Sequence, residues 1–276
     1  MDDIALPELA SFLASHSKTS APGHNQLSYR LLSHAPLPTL ATLAFTLNTC
    51  IRLSSMPTIL KTSHIYPIPK AGKTATITNL RPITLLEAGY KIITGTITNR
   101  ITTLALTAPH HLIHPLQLGG TKNRSCQDAL LALTSIIEDS ALNKRDLHIA
   151  YADVQGAYDG VSPDSKTLSY RLAGFPESFI DLARNLDTNS PTDVILPGKG
   201  ITSQFQPECG LKQGDGLSVL GWLLFINPLI SWITRGLAPS HGNVTYTPDV
   251  LQATLNGAHL RRDHNPIPGQ TVHHLV

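Results

Sequence analysis

The chain has 276 residues, 41% of them hydrophobic and 14% charged, enough apolar material for one large domain or two small ones with a buried core. Its three cysteines, Cys50, Cys126 and Cys209, are odd in number and share no CxxC spacing, so neither a disulfide framework nor a cysteine zinc site is suggested, which fits a reducing intracellular compartment. The net charge of +2 hides a segregation: nine basic residues and one acid between Ile51 and Arg124 give that stretch +8, so the remainder carries 2 − 8 = −6.

In chain order, the first twenty residues are Ser- and Ala-rich and read as a loosely held terminus, with acids where a secretory signal would carry basic residues. A helix is expected over 37–53, ending before Pro57. Two short strands follow, near 64–68 and 80–85, joined by a Gly-, Thr- and Asn-rich loop that carries Lys70 and Lys73. A helix from about Glu87 to Leu106 is broken by the prolines of TAPHHLIHPLQ. Ser125, followed three positions later by Asp128, forms a capping box for the next helix. That helix leads into DLHIAYADV, read as a buried strand with Asp153 near its exit. Two helices, about 164–173 and 176–187, are separated by Gly174-Phe175-Pro176. A hairpin turns around Pro197-Gly198-Lys199-Gly200. The apolar run at 217–233 is interrupted by Asn227, Pro228 and two serines, so it reads as a buried core helix and not as a membrane span.

The stretch HIAYADVQGAYDGV carries Asp153 and Asp159 six positions apart. A continuous strand would hold them roughly 20 Å apart and a continuous helix roughly 120° apart, so they share a site only if the chain turns at Gln155-Gly156-Ala157. QGDGLS at 213–218 is a glycine-rich loop opening a helix, suited to a phosphate or a flat ring close to the backbone. KAGKT imitates a phosphate-binding P-loop, but Pro67 stands where that pattern needs glycine and has no N–H to donate. His110, His111 and His114 have helical ligand spacing, yet they sit between Pro109 and Pro115 without a nearby carboxylate or thiol, so a loop on the basic face is the better reading.

In order along the chain, PIPKAGKTATITNLRPITLLEAGYKIITGTITNRI, YADVQGAYDGV and GLKQGDGLSVLGWLLFINPLI resemble the reverse transcriptase domain of non-LTR retrotransposons, with APGHNQLSYRLL and QLGGTKNRSCQDALLAL fitting lesser blocks. The resemblance covers about Ala21 to Val276. It implies an α+β fold of right-hand polymerase type, with fingers about 21–120 and 164–206, a partial palm about 121–163 and 207–276, and no thumb. It makes Asp153 the catalytic, metal-binding aspartate, with the Val154 carbonyl as a further ligand of Mg2+. Tyr158 becomes the gate against a ribose 2′-hydroxyl, Lys70 and Arg81 grip the triphosphate, and Gln213 and Gly214 pack against the incoming nucleotide and the templating base. Asp159 is read as structural. Gly216 and Val219 replace the prolines usual in the family, which implies a looser helix start. The implied partners are template RNA, a DNA primer and dNTPs, with no membrane, and the family lifestyle implies the nucleus. The closing GQTVHHLV resembles the strand that enters the hairpin bearing Tyr/Phe-x-Asp-Asp, so two-metal catalysis is expected of the intact protein and not of this chain alone. The alternative is a non-catalytic remnant that at most binds nucleic acid through its basic fingers.

Overall fold

The computed structural model describes residues 1–74, 76–107, 112–236 and 272–275. The chain divides into two compact units, Met1–Thr107 with Gly156–Phe225, and Ala108–Gln155 with Ile226–Val276. Both mix helix and sheet, as the α+β expectation requires.

The first unit is organised around a four-stranded sheet of order β2-β1-β4-β5, where β1 is Ser63–Pro69, β2 Leu80–Leu86, β4 Thr192–Leu196 and β5 Gly200–Ile201. β1 and β2 form an antiparallel hairpin from Ser63↔Leu86 to Pro69↔Leu80, and β1 runs parallel to β4 from Ser63↔Thr192 to Ile65↔Val194. The prolines of this hairpin fall on facing positions, Pro67↔Pro82, where neither can donate to the ladder. At the end beside the helices, Ser63, Leu86 and Thr192 are fully or almost fully buried; the opposite end, at Ile68 and Pro69, is exposed.

Helices α3 (Leu37–Arg52), α5 (Ala88–Thr107) and α8 (Glu177–Asp187) supply most of the core. On α8, Phe179, Ile180, Leu182, Ala183 and Leu186 are all buried, an i, i+1, i+3, i+4, i+7 stripe that a helix can only satisfy by docking. α5 buries Tyr90, Ile92, Ile93, Ile97 and Ile101, while Thr94, Thr98 and Thr102 each return their hydroxyl to the carbonyl four residues back. Gly95 lies mid-helix, where it costs about 1 kcal/mol relative to alanine. The reason is contact: a Cβ there would lie 2.5 Å from the ring of Phe12.

That contact belongs to α1 (Leu6–Ser15), and it corrects the expectation of a loosely held terminus. Leu9, Phe12 and Leu13 are buried, as is Ile4 just before the helix. The Asn48 side chain accepts from the Ile4 N–H at 2.6 Å and donates to its carbonyl at 3.1 Å. Arg100 grips the Glu8 carboxylate through two nitrogens, at 2.8 and 2.6 Å, and donates to the Asp2 and Asp3 carbonyls. Composition marked this segment as unstructured because its partners lie 44 and 92 positions away.

In the second unit, α6 (Cys126–Leu142) carries the capping box read from the sequence: the Ser125 N–H donates to Asp128 Oδ2 at 2.7 Å. β3 (Leu147–Ala150) pairs in parallel with β6 (Val272–Leu275). Leu147 and Ile149 are half-buried and His148 is exposed, so β3 is not the buried strand that was expected; among the described residues it has one neighbour. Asn227 ties the loop before α6: its Oδ1 accepts from the His114 N–H at 2.8 Å and from Gln117 Nε2 at 2.6 Å. Its Nδ2 donates to the Leu112 carbonyl at 3.0 Å. His110 and His111 lie outside the described residues.

The longest helix, α9 (Gly216–Gly236), contains Pro228 and is long and apolar enough to cross a membrane by length and composition. Leu217, Leu220, Leu223 and Leu224 are buried within the first unit, as a core helix would have them.

If α1 is part of the core, Phe12→Ala removes a ring that is 4% exposed and leaves a cavity against Gly95. The expected loss is about 3 to 5 kcal/mol, read from the denaturant midpoint at unchanged slope.

Candidate functional site

The glycine turn of QGDGLS is fastened to the hairpin by its backbone. Gln213 forms a parallel bridge to Ile83, and the Thr84 N–H donates to the Gln213 carbonyl at 2.7 Å. This places Gly214 so close to β2 that a Cβ would stand 2.6 Å from the Thr84 carbonyl oxygen, and its φ of +132° is one that side chains rarely adopt. Both constraints demand glycine.

The helix after the turn is capped by a side chain. Asp215 caps it, its Oδ1 accepting from the Leu217 N–H at 3.2 Å, while its own carbonyl accepts from the Ser218 N–H at 3.2 Å.

Of the two charges that flank the turn, Asp215 is buried and Lys212 half-buried, and neither was singled out from the sequence. Lys212 Nζ donates to Ser190 Oγ at 2.6 Å and to the Leu186 carbonyl at 3.2 Å, and lies 4.7 Å from the centre of the Tyr90 ring. Beside it, α7 (Pro163–Leu172) contributes Lys166, ion-paired with Asp187 at the end of α8. Burial pushes the Lys212 ammonium down to about 8, against the pull of Asp187 and Asp215. Burial likewise raises the Asp215 carboxyl, opposed by its hydrogen bonds to Thr94 and Leu217. The available signal was the pair itself: opposite charges three positions apart, astride a glycine turn that runs directly into an apolar helix, must either pair or reach solvent.

Tyr158 is held against the same turn. Its carbonyl accepts from the Leu211 N–H and the Val161 carbonyl from the Gly210 N–H, both at 2.9 Å. Its half-buried ring stacks on Trp222 of α9, with centroids 6.1 Å apart and planes 19° apart, and this burial raises the phenol. Between the hairpin and the 210–213 segment lies a cavity of about 120 Å³, lined among others by Ile65, Thr84, Asp159, Lys212 and Gln213.

Lys70 and Arg81 sit together at the loop end of the hairpin. Arg81 is registered with Ile68, and the Lys70 N–H donates to the Asn79 carbonyl at 2.8 Å. Lys70 Nζ reaches the Thr78 carbonyl at 3.3 Å. The +8 of the surrounding stretch is not all available to a ligand. Lys61 is 3% exposed and donates to the Asn185 and Thr188 carbonyls; Arg52 pairs with Asp3; Arg100 holds Glu8; Lys91 lies 5.1 Å over the Tyr29 ring. In the first unit this leaves Lys70, Lys73 and Arg81 at the hairpin tip as the outward-facing share.

Asp153 and Val154 belong to the second unit. They are exposed and lie three and four residues beyond the end of β3. The structure therefore brings Lys70 and Arg81 together on one hairpin end, and ties Tyr158, Gln213 and Gly214 to one turn, with Asp153 and Val154 in a separate loop.

The reverse transcriptase (RNA-dependent DNA polymerase) family matches residues 68–260, which is well over half of the chain. The chain belongs to that family. This reverse transcriptase sequence is 24% identical over 228 residues to the Retrovirus-related Pol polyprotein of the type-2 retrotransposable element R2DM of Drosophila melanogaster, covering 82% of this chain and 20% of the relative. It is 28% identical over 256 residues to the RNA-directed DNA polymerase from mobile element jockey of Drosophila melanogaster, covering 91% and 26%. A third relative, the Pol polyprotein of the type-1 retrotransposable element R2 of Popillia japonica, is 27% identical over 201 residues, covering 73% and 27%. The chain thus spans between a fifth and about a quarter of the length of these relatives, and the resemblance to non-LTR retrotransposon polymerases read from its motifs holds.

Two measurements check the turn. Gly214→Ala is expected to destabilise the fold by more than the roughly 1 to 3 kcal/mol of backbone strain, because the methyl also meets the Thr84 carbonyl. For Lys212, the folded chain releases its proton above about pH 8 while the unfolded chain keeps it up to about 10.5. The cost of burying the charge therefore fades, and this group's contribution to stability rises, as pH climbs through that window. Urea midpoints across a pH series should show a rise in the native chain that is reduced in Lys212→Met.

Proposed function

We propose that this chain supplies the fingers and part of the palm of a right-hand RNA-directed DNA polymerase, with fingers at about 21–120 and 164–206 and palm at about 121–163 and 207–276. The intact protein extends a DNA primer on an RNA template with deoxynucleoside triphosphates. The observation that carries this reading is the family match over 68–260, which takes in every proposed site residue.

Lys70 and Arg81, on one exposed hairpin end, bear on the triphosphate; the planar guanidinium can meet two phosphate oxygens at once. The backbone of Gln213-Gly214, free of any Cβ at 214, lets a base or sugar approach the turn. Tyr158, fixed by its stack on Trp222 and its bond to Leu211, presents an aromatic edge to the sugar and disfavours a 2′-hydroxyl. Asp153 and the Val154 carbonyl are exposed oxygen donors, the type that Mg2+ prefers, and fit the ion in kind. When bound, such ions activate the primer hydroxyl and offset charge on the leaving pyrophosphate. Asp153 contributes one carboxylate of negative charge to hold them, and Val154 a neutral oxygen.

Primer extension with Mg2+ on an RNA template, run on the full gene product, tests the assignment. Asp153→Ala should lower extension by about 10²-fold or more while template-primer affinity stays near its original value. Lys70→Ala combined with Arg81→Ala should act chiefly on KM for the nucleotide. Extension undiminished in Asp153→Ala would remove this residue from the mechanism.

A further inference from the structure

Away from these residues, the first unit gathers a histidine, histidine and carboxylate group from three distant segments. His24 stands on the loop before α2 (Tyr29–Leu32), His64 on β1 and Asp193 on β4, and their ligand-type atoms all lie within 4.8 Å of one another. His64 and Asp193 are registered partners on the parallel β1–β4 pair, 6% and 4% exposed, and His64 Nδ1 hydrogen-bonds Asp193 Oδ1. That bond fixes the tautomer, since a carboxylate accepts only from an N–H. That leaves Nε2, on the side of the ring away from the aspartate, as the atom open to a ligand. His24 Nδ1 lies 3.2 Å from it.

Two imidazole nitrogens on one tetrahedral ion, each about 2.0 to 2.1 Å from it, are separated by roughly 3.3 Å. The observed 3.2 Å is close to this separation. A second, independent feature lies alongside. Glu87, at the start of α5, is wholly buried; its Oε1 accepts from the Asn25 N–H at 3.0 Å, its Oε2 has no hydrogen-bond partner among the described residues, and burial raises its carboxyl against the pull of Asn25, His24 and His64. A buried carboxylate with an unsatisfied oxygen carries a large desolvation cost that a nearby cation would relieve. The loop itself is pressed home, because a Cβ at Gly23 would lie 2.7 Å from the Glu87 nitrogen. His24 is exposed, which leaves the site open to solvent on one side.

We propose that His24 and His64 bind one divalent transition-metal ion, Zn2+ by ligand chemistry, with Asp193 orienting His64 from behind and Glu87 balancing the charge. The ion clips the 23–25 loop to the centre of the four-stranded sheet. Imidazole donors suit zinc, copper or nickel and not the hard ion proposed for Asp153, so the two sites stand or fall separately.

The test is a titration of chelator-treated chain with Co2+ and Zn2+, reading the visible d–d bands of cobalt, bound zinc per chain by elemental analysis, and the shift in Tm. One tight equivalent and a rise in Tm are expected. His24→Ala, at an exposed position that leaves the sheet intact, should lose that equivalent and its Tm shift. Asp193→Asn should weaken binding about 10- to 100-fold without abolishing it. The chain has 13 histidines, so adventitious binding is a real competitor. Binding unchanged in His24→Ala, or no stoichiometric ion in the native chain, would overturn the proposal. The 3.2 Å contact would then be an ordinary hydrogen bond between imidazoles.

Discussion

The bond from the Thr84 N–H to the Gln213 carbonyl is the constraint on which the candidate site rests. It joins the end of a long loop to a hairpin strand more than a hundred positions earlier, and it forces residue 214 to be glycine by steric exclusion from β2. Everything near the turn then takes its place from this anchor. Asp215 reaches the free N–H groups of α9, Lys212 is carried into the interior, and Leu211 and Gly210 bond back to the Tyr158–Val161 turn. A turn fixed in this way offers bare backbone to a flat ligand without the entropy cost of ordering it at the moment of binding.

The buried charges beneath the turn have a different physical role from the exposed ones above it. Lys61, Lys166 and Lys212 together with Asp187 and Asp215 sit among Tyr90, Tyr170 and the ends of α8, where each is compensated by backbone carbonyls, a hydroxyl or an opposite charge. Such a group specifies one arrangement of helices, because a shift of any member strands a charge away from water. The hairpin tip, by contrast, keeps its cations in solvent, where they act on a polyanion through a local field and through hydrogen bonds formed only on contact. The charge count over 51–124 took in Lys61 from the buried group, along with Arg52, Arg100 and Lys91, which are paired or packed on a ring. The structure separates these from the solvent-facing cations, and the outward share in the first unit is smaller than the sum over the stretch.

Much of the secondary structure was legible. α3, α5, α7, α8 and α9 and the β1–β2 hairpin fall close to their expected bounds, and α6 starts where its capping box placed it, because their signals are local: apolar period, prolines and glycines at the ends, and the box at Ser125 and Asp128. The misread elements are those whose order comes from afar. α1 is held by Asn48, Gly95 and Arg100, and β3 is only half-buried beside β6, more than a hundred residues later in the chain. At the helix start by Gly216, where the resemblance drew attention to missing prolines, the neighbouring aspartate supplies a cap.

The sequence by itself determined the family, because a set of short motifs in fixed order survives at low overall identity wherever the chemistry admits few residue types. It also determined which residues are candidates for that chemistry. Only the tertiary structure decided which charges are spent inside the protein, which glycine is obligatory and which histidines face each other. Those outcomes depend on through-space distance and on exclusion of water, and neither quantity is written in the spacing of residues along a chain.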